Sequence, residues 1–465
     1  MSLLIVLAAL AFLMLVAYRG YSVILFAPIA ALGAVLLTDP ALVAPMFTGL
    51  FMEKMVGFLK LYFPVFLLGA VFGKLIEISG FSKSIVAATI RVVGAQRAIF
   101  SIVLVCAVLT YGGVSLFVVV FAVYPFAAEL FRQSDIPKRL IPGTIALGAF
   151  TFTMDALPGT PQIQNIIPSS FFATSGWAAP VLGILGGIFI LIVGMTYLES
   201  RRRKAARAGE GYGDNLLNEP APFAGERLAH PLLAILPLIL VGVANFLFTR
   251  WIPELYGETQ SFVPSVIGSA EPIVQNVSRL AAIWAVLGAL LVGILSVIAL
   301  AWRPVIASFA EGTKNAIGGA LLASMNTASE YGFGAVIAAL PGFLAVATAL
   351  QAIPNPLVNE AISVTALAGI TGSASGGMSI ALAAMADSFI ANANAAGIPM
   401  EVLHRVAAMA SGGMDTLPHN GAVITLLAVT GLSHRQSYRD IFAITIIKTL
   451  SVFVVISLFY LTGWV

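Results

Sequence analysis

Long apolar runs separated by short charged segments recur along the whole chain. In the first half they predict helices near 2–17, 21–38, 57–80, 138–173 and 178–198. In the second half they predict helices near 231–249, 278–301, 313–343, 402–430 and 440–462. Several of these reach the ~20 residues that a helix needs to cross a bilayer. Two more apolar stretches, about 96–131 and 358–392, are interrupted by small polar residues, Tyr111-Gly112-Gly113 and Thr371-Gly-Ser373-Ala-Ser375-Gly-Gly377. Their short polar tips read as re-entrant hairpins. The first run, Ser2 to Ala17, is followed at once by another and lacks a convincing small-residue cleavage site, so it reads as a retained helix.

Composition agrees with the pattern: 59% of the 465 residues are hydrophobic and 10% are charged, whereas a soluble domain carries about 25%. With the interrupted stretches as hairpins, the loops holding Arg19, Lys83/Arg91/Arg97, Arg132/Lys138/Arg139, Arg201–Lys204, Arg303 and Arg435/Arg439 share one face. The other face receives Asp39, Glu254, Glu258 and Glu271. This positive-inside bias predicts a cytoplasmic linker at 199–229 and both termini outside. Two ordinary crossings in place of each hairpin would keep the same sides. The basic run within Ser200–Lys204 reads as a topology determinant, with recruitment of a partner or anionic lipid as its rival. A single cysteine, Cys106, excludes an intramolecular disulfide or a cysteine metal cluster and reads as a packing residue. Nothing in the chain points to nucleic acid or to a cofactor.

The two halves resemble each other. Met154-Asp155-Ala-Leu-Pro158 recurs as Met414-Asp415-Thr-Leu-Pro418, and Gly112-Gly113-Val-Ser115-Leu recurs as Gly376-Gly377-Met-Ser-Ile380. Ile136-Pro137 matches Ile398-Pro399, and Phe72-Gly73 and Gly80-Phe81 match Phe333-Gly334 and Gly342-Phe343. The order is preserved and the offsets stay between 260 and 264. The expected fold is therefore an all-α polytopic membrane protein of two inverted repeats, 1–198 and 230–465, joined by the linker 199–229. Each repeat has five transmembrane helices, one of them broken, plus a re-entrant hairpin. Inverted repeats with broken helices are characteristic of secondary transporters, whose substrates bind at the breaks.

The best-matched segments are polar and helix-breaking. Pro158 and Pro161 flank Gly159-Thr160 inside what should be one helix, and Pro418 and Gly421 do the same in the second copy. Each proline lacks a donor and clashes with the preceding turn, and the freed backbone groups cannot face lipid. The breaks thus offer Thr160, Gln162, Gln164, Asn165, Thr416, His419 and Asn420, while the tips offer Gly112, Gly113, Ser115, Ser373, Ser375, Gly376 and Gly377. With no arginine expected in the core, helix ends would hold a small oxygen-rich anion. Asp155, Asp415 and Glu330 are the deepest ionisable residues expected, followed by Asp387. Intramembrane carboxylates mark ion or proton paths, although Asp155 and Asp415 could instead cap broken backbone and Glu330 could make a structural hydrogen bond. His230, His404 and His434 read as surface residues, and Lys448 as a snorkelling side chain near the cytoplasmic end of the last helix.

At these residues the chain resembles the gluconate permease (GntP) family of the ion-transporter superfamily. The likeness rests on Gly112-Gly-Val-Ser-Leu-Phe117, on Thr153-Met-Asp-Ala-Leu-Pro-Gly-Thr-Pro-Gln-Ile-Gln-Asn165 and on Ser411-Gly-Gly-Met-Asp-Thr-Leu-Pro-His-Asn-Gly-Ala-Val-Ile-Thr425. The last motif is nearer the 3-hydroxybutyrate permease branch. The resemblance implies cation-coupled uptake of a small hydroxylated monocarboxylate, gluconate or 3-hydroxybutyrate in type, across a bacterial cytoplasmic (inner) membrane. It also implies a homodimer with a moving transport domain. Sodium-coupled relatives often carry Ser-Asn-Thr at both hairpin tips. The tips here depart from that, so the carboxylates favour protons as the coupling ion. A sodium-coupled carboxylate symporter or a cation–proton antiporter is the alternative. A channel would need a polar stripe, and an enzyme a nucleophile–base pair, that the sequence lacks.

Overall fold

Hydrocarbon thickness sets the length of the elements in this protein. The computed structural model describes residues 2–19, 21–94, 97–114, 116–214, 217–220, 228–263, 272–343, 353–418 and 420–465. The first half contains α1 (Ser2–Tyr18), α2 (Val23–Thr38), α3 (Met52–Ile78), α4 (Phe81–Val93), α5 (Ala98–Tyr111), α6 (Leu116–Gln133), α7 (Ile141–Ala149), α8 (Ile163–Phe172) and α9 (Pro180–Arg207). The second half contains α10 (Pro231–Tyr256), α11 (Val277–Leu300), α12 (Trp302–Ala339), α13 (Pro356–Thr371), α14 (Ala374–Ala395), α15 (Met400–Ser411), α16 (Gly421–Thr430) and α17 (His434–Thr462). Among the described residues, six helical segments are long and apolar enough to cross a membrane: Pro40–Ile78, α9, α10, α11, α14 and α17. The chain is a helical, multi-pass membrane protein.

Both expected long helices are broken. The stretch 138–173 becomes α7, a single turn at Phe152–Asp155, an irregular segment and then α8, while 402–430 becomes α15 and α16 separated by residues 412–420. Gly159 has φ +78°, and a Cβ there would enter the Trp177 ring, so glycine permits the first break. The interrupted stretches form the helix pairs α5/α6 and α13/α14. A helix as short as α5, 14 residues, spans about 21 Å, less than the ~30 Å hydrocarbon core.

The remaining long helices pack around these pieces. α3 and α12 run antiparallel: Gly332 lies against Phe51, and Gly312 against Ile78. Glycines let such backbones approach where lipid supplies no hydrophobic drive.

Three features depart from the sequence expectation. Residues 81–93, expected as a charged loop, form α4. α9 continues through the basic run to Arg207. An antiparallel hairpin, β1 (Thr259–Phe262) with β2 (Ile273–Asn276), joins α10 to α11. The linker beyond α9 is tied to the body: Tyr212 N–H donates to Asp135 (3.0 Å), Lys138 Nζ donates to the Leu217 carbonyl (2.5 Å), and Asn218 donates to Ala428 O (2.8 Å). Lys138 also pairs with Glu219 at 2.7 Å, and Arg132 pairs with the same carboxylate. Ser84 donates to Ala229 O at 2.6 Å, so the start of α4 lies against the end of the linker.

Candidate functional site

The first break is held together by side chains that satisfy its freed carbonyls. Thr160 donates to Thr153 O (2.8 Å), Tyr111 to Pro158 O (2.8 Å) and Asn245 to Gly159 O (3.1 Å). Asn165 donates to Thr160 O and Gly176 O, both at 2.9 Å. Arg405, fully buried in the middle of α15, donates to Asp155 O (3.0 Å), Asn165 Oδ1 (3.0 Å) and Ala178 O (2.8 and 3.2 Å). Unsatisfied backbone would cost several kcal/mol per group in lipid, which explains how an irregular segment persists there. Thr160 and Asn165, expected at the substrate, are therefore spent on backbone.

The expectation of no core arginine is corrected by Arg405, and three other readings change with it. His404 is not a surface residue: it is fully buried, with Nδ1 2.7 Å from Thr174 Oγ1 and Nε2 3.4 Å from Asn165 Oδ1. Asp387 is exposed. Lys448 does not snorkel, because α17 begins at His434 and places it near mid-helix, fully buried.

Lys448 joins the two motifs. Its Nζ lies 3.2 Å from Asp155 Oδ2 and 3.4 Å from Asp415 Oδ1, and donates to the Phe150 carbonyl. Asp155 and Asp415, expected to approach each other, thus meet on one ammonium. Among the described residues neither Asp155 oxygen has a hydrogen-bond partner of good geometry, so the attraction to Lys448 is ionic. Gly412 makes the approach possible, since a Cβ there would occupy the space of Asp155 Oδ2 and the end of Lys448.

The second break is organised differently. Asn420 Oδ1 accepts from Ala422 N (2.7 Å) and Val423 N (3.0 Å), capping α16, while its Nδ2 donates to Gly372 O (2.6 Å). No side chain caps α8, whose N-terminal residues Gln162, Ile163 and Gln164 face a cavity of about 750 Å³. Thr416 bonds Thr445, and Tyr438 donates to Thr416 O at 3.2 Å.

The cavity draws on both tips and both breaks: Gly113, Pro161, Gln162, Ser373, Ser375, Asp415, Thr416 and Asn420 all line it. Along α12 it adds Asn315, Asn326, Thr327 and Glu330. Gln164 Oε1 and Glu330 Oε2 are buried in its wall without hydrogen-bond partners among the described residues. Gly376 makes room for Glu330, whose carboxylate occupies the place of a Cβ. Gly112 and Gly377 are packing positions against Leu238 and the Ala368 backbone. Asp155 is outside the lining; Asp415 is in it. Ser115 and His419 lie outside the described residues. The cavity reaches exposed Tyr21 and Asn315 together with Lys74 and Glu77, in the last turns of α3 just before α4.

The chain is 61% identical to the uncharacterized transporter YxjC of Bacillus subtilis (strain 168), over a 474-residue alignment covering 100% of both proteins. No protein-family model matches it. Among solved structures, it is similar to the YdaH transporter of Alcanivorax borkumensis, whose crystal structure is described as revealing an unusual topology. The TM-score is 0.51 at 15% identity, covering 92% of this chain and 90% of that one, a likeness of fold. A transporter relative agrees with the reading of a carrier and not an enzyme.

Proposed function

The chain belongs to the transporter family of the Bacillus protein YxjC, and from that premise we propose that it is a proton-coupled symporter of a small hydroxylated monocarboxylate, 3-hydroxybutyrate or gluconate in type. The observation that carries the reading is the shared cavity, in which both hairpin tips and both breaks meet beside Asp415 and Glu330. The uncapped start of α8 supplies N–H groups and a positive dipole end for a carboxylate. Gln164, Thr327 and Ser375 are spaced around it for the hydroxyl groups, whereas the Gln162 amide is spent on the Thr110 carbonyl at 2.7 Å and the Val114 carbonyl at 3.3 Å. Apolar Met154, Leu116 and Leu290 suit a short carbon chain.

Charge balance assigns the proton. One ammonium facing two carboxylates leaves one negative charge when both are ionised. Asp155 stays paired with Lys448, and Asp415, which reaches the cavity, takes the proton that neutralises the load. Glu330 is the second exchangeable carboxylate, beside the tip that must move. The hairpins and broken helices form the moving domain of an elevator, and α3, α10, α11 and α12 belong to the scaffold. On this reading 1–198 and 230–465 are inverted repeats, the linker 199–229 is cytoplasmic, both termini are outside and the carrier is a homodimer. The membrane is a bacterial cytoplasmic one.

The test is uptake of labelled 3-hydroxybutyrate or gluconate into proteoliposomes. Accumulation driven by an inward proton gradient is expected, and accumulation that follows sodium and ignores the proton gradient would overturn the coupling assignment.

A further inference from the structure

We propose that the Lys448 ammonium is a resident cation filling a monovalent-cation site, and that truncating its side chain turns this site into one for a small free cation. The inference rests on reading Asp415 as the coupling carboxylate and Asp155 as the lasting partner of Lys448, and goes on to explain why sodium is dispensable on that reading. Around Nζ stand Asp155 Oδ2 at 3.2 Å, Asp415 Oδ1 at 3.4 Å and the Phe150 carbonyl. All three are oxygen acceptors, two of them anionic, and hard monovalent cations favour the same kind of donor set. The three come from separate segments that converge there: residue 150 at the end of α7, residue 155 in the first break and residue 415 in the second.

Position and charge support a cation site over a packing contact. The cationic end arrives from α17, outside both breaks, through a gap that Gly412 keeps open. Arg405 cannot replace it, because its guanidinium is committed to Asp155 O, Asn165 and Ala178 O. At the position of Lys448 in the first half, 260 residues earlier, stands Ile188, so the cation is supplied by the second half alone. Without the ammonium two buried carboxylates would face each other, an arrangement that draws in a proton or a cation. The wild-type carrier therefore has no vacancy for sodium between these groups.

The test needs no substrate. Purified full-length Lys448→Ala and wild type are unfolded thermally in N-methylglucamine chloride, with sodium, potassium, ammonium or methylammonium chloride exchanged in at constant ionic strength. The expected result is a wild-type Tm indifferent to the cation and a Lys448→Ala Tm that is lower in N-methylglucamine and rises saturably with a small cation. A Lys448→Ala Tm that no cation shifts overturns the proposal, as does a wild-type Tm that rises saturably with sodium. If Lys448→Ala is recovered only in a small-cation salt, the proposal is supported. If it is recovered in none, Asp155→Asn/Lys448→Met decides: its recovery supports the charge argument, and its loss assigns Lys448 to packing and overturns the proposal. Failure of 3-hydroxybutyrate and gluconate uptake would sink the substrate reading while leaving this thermal result standing.

Discussion

Lys448 shows how much one residue's depth depends on where its helix starts. Read as the ninth residue of a helix starting near 440, a lysine snorkels; fourteen residues beyond His434 it cannot reach either interface. Its two carboxylate partners look alike in sequence, and the proposed mechanism gives them different roles. Asp415→Asn should abolish proton-driven accumulation while leaving substrate exchange across the membrane, as measured by counterflow in proteoliposomes. Asp155→Asn should lower stability more than Asp415→Asn does, because on the proposed mechanism Asp155 is the carboxylate that stays ionised beside the ammonium, 3.2 Å from it. Gly412→Ala would push a methyl group into Asp155 and Lys448. A loss of about 1–3 kcal/mol, seen as a lower Tm, is the expected outcome, and an unchanged Tm would mean that the three groups are not packed as described.

At the scale of elements, the breaks are stable because distant helices donate to them. Arg405→Ala leaves Asp155 O and Ala178 O without the guanidinium that they accept from, and should cost about 1–3 kcal/mol for each carbonyl left unpaired, measured by thermal unfolding in detergent. The linker clasp is a second such element. Burial pushes the Glu219 carboxyl up, but Lys138 and Arg132 outweigh it and hold it below its ordinary value. Arg139 likewise holds Glu210 down. For a lowered folded-state value, the stabilisation is present above the unfolded carboxylate range near ~4.3 and is lost as pH falls through the folded value. A spin label at Asp214→Cys should therefore be restrained at neutral pH and mobile in acid below that range. Glu219→Gln should mobilise it at neutral pH. A label equally mobile in all three conditions would show that the clasp does not depend on charge.

At the scale of the whole molecule, the cavity runs from buried hairpin tips to exposed Asn315 and Tyr21, on the side where α4 meets the linker. If the linker is cytoplasmic, this is an inward-open state. Asn315→Cys should then react with a membrane-impermeant maleimide in inside-out vesicles and be protected in right-side-out ones; the reverse pattern would invert the topology. The native cysteine, Cys106, is buried and gives a low background.

The hydrophobic pattern by itself determined that the chain is helical and membrane-embedded. Prolines and glycines determined where helices break, because those effects are local to a turn of backbone. The helix 81–93 has an apolar face at helical spacing, but its charges read as a loop; the strands Thr259–Phe262 and Ile273–Asn276 and the polar first turns of α17 were less legible, since short polar stretches at helix ends carry weak periodic signals. Only the tertiary structure decided what each polar residue does. Thr160, Asn165 and Asn420 are polar in the right segments, yet they satisfy carbonyls or cap a helix, a choice set by which orphaned group lies within hydrogen-bond reach. Lys448 and Arg405 sit outside both motifs, and no spacing in the sequence connects residue 448 with 155. That connection arises because buried charge must find its counter-charge in space, and the folded chain alone specifies which helices bring the two together.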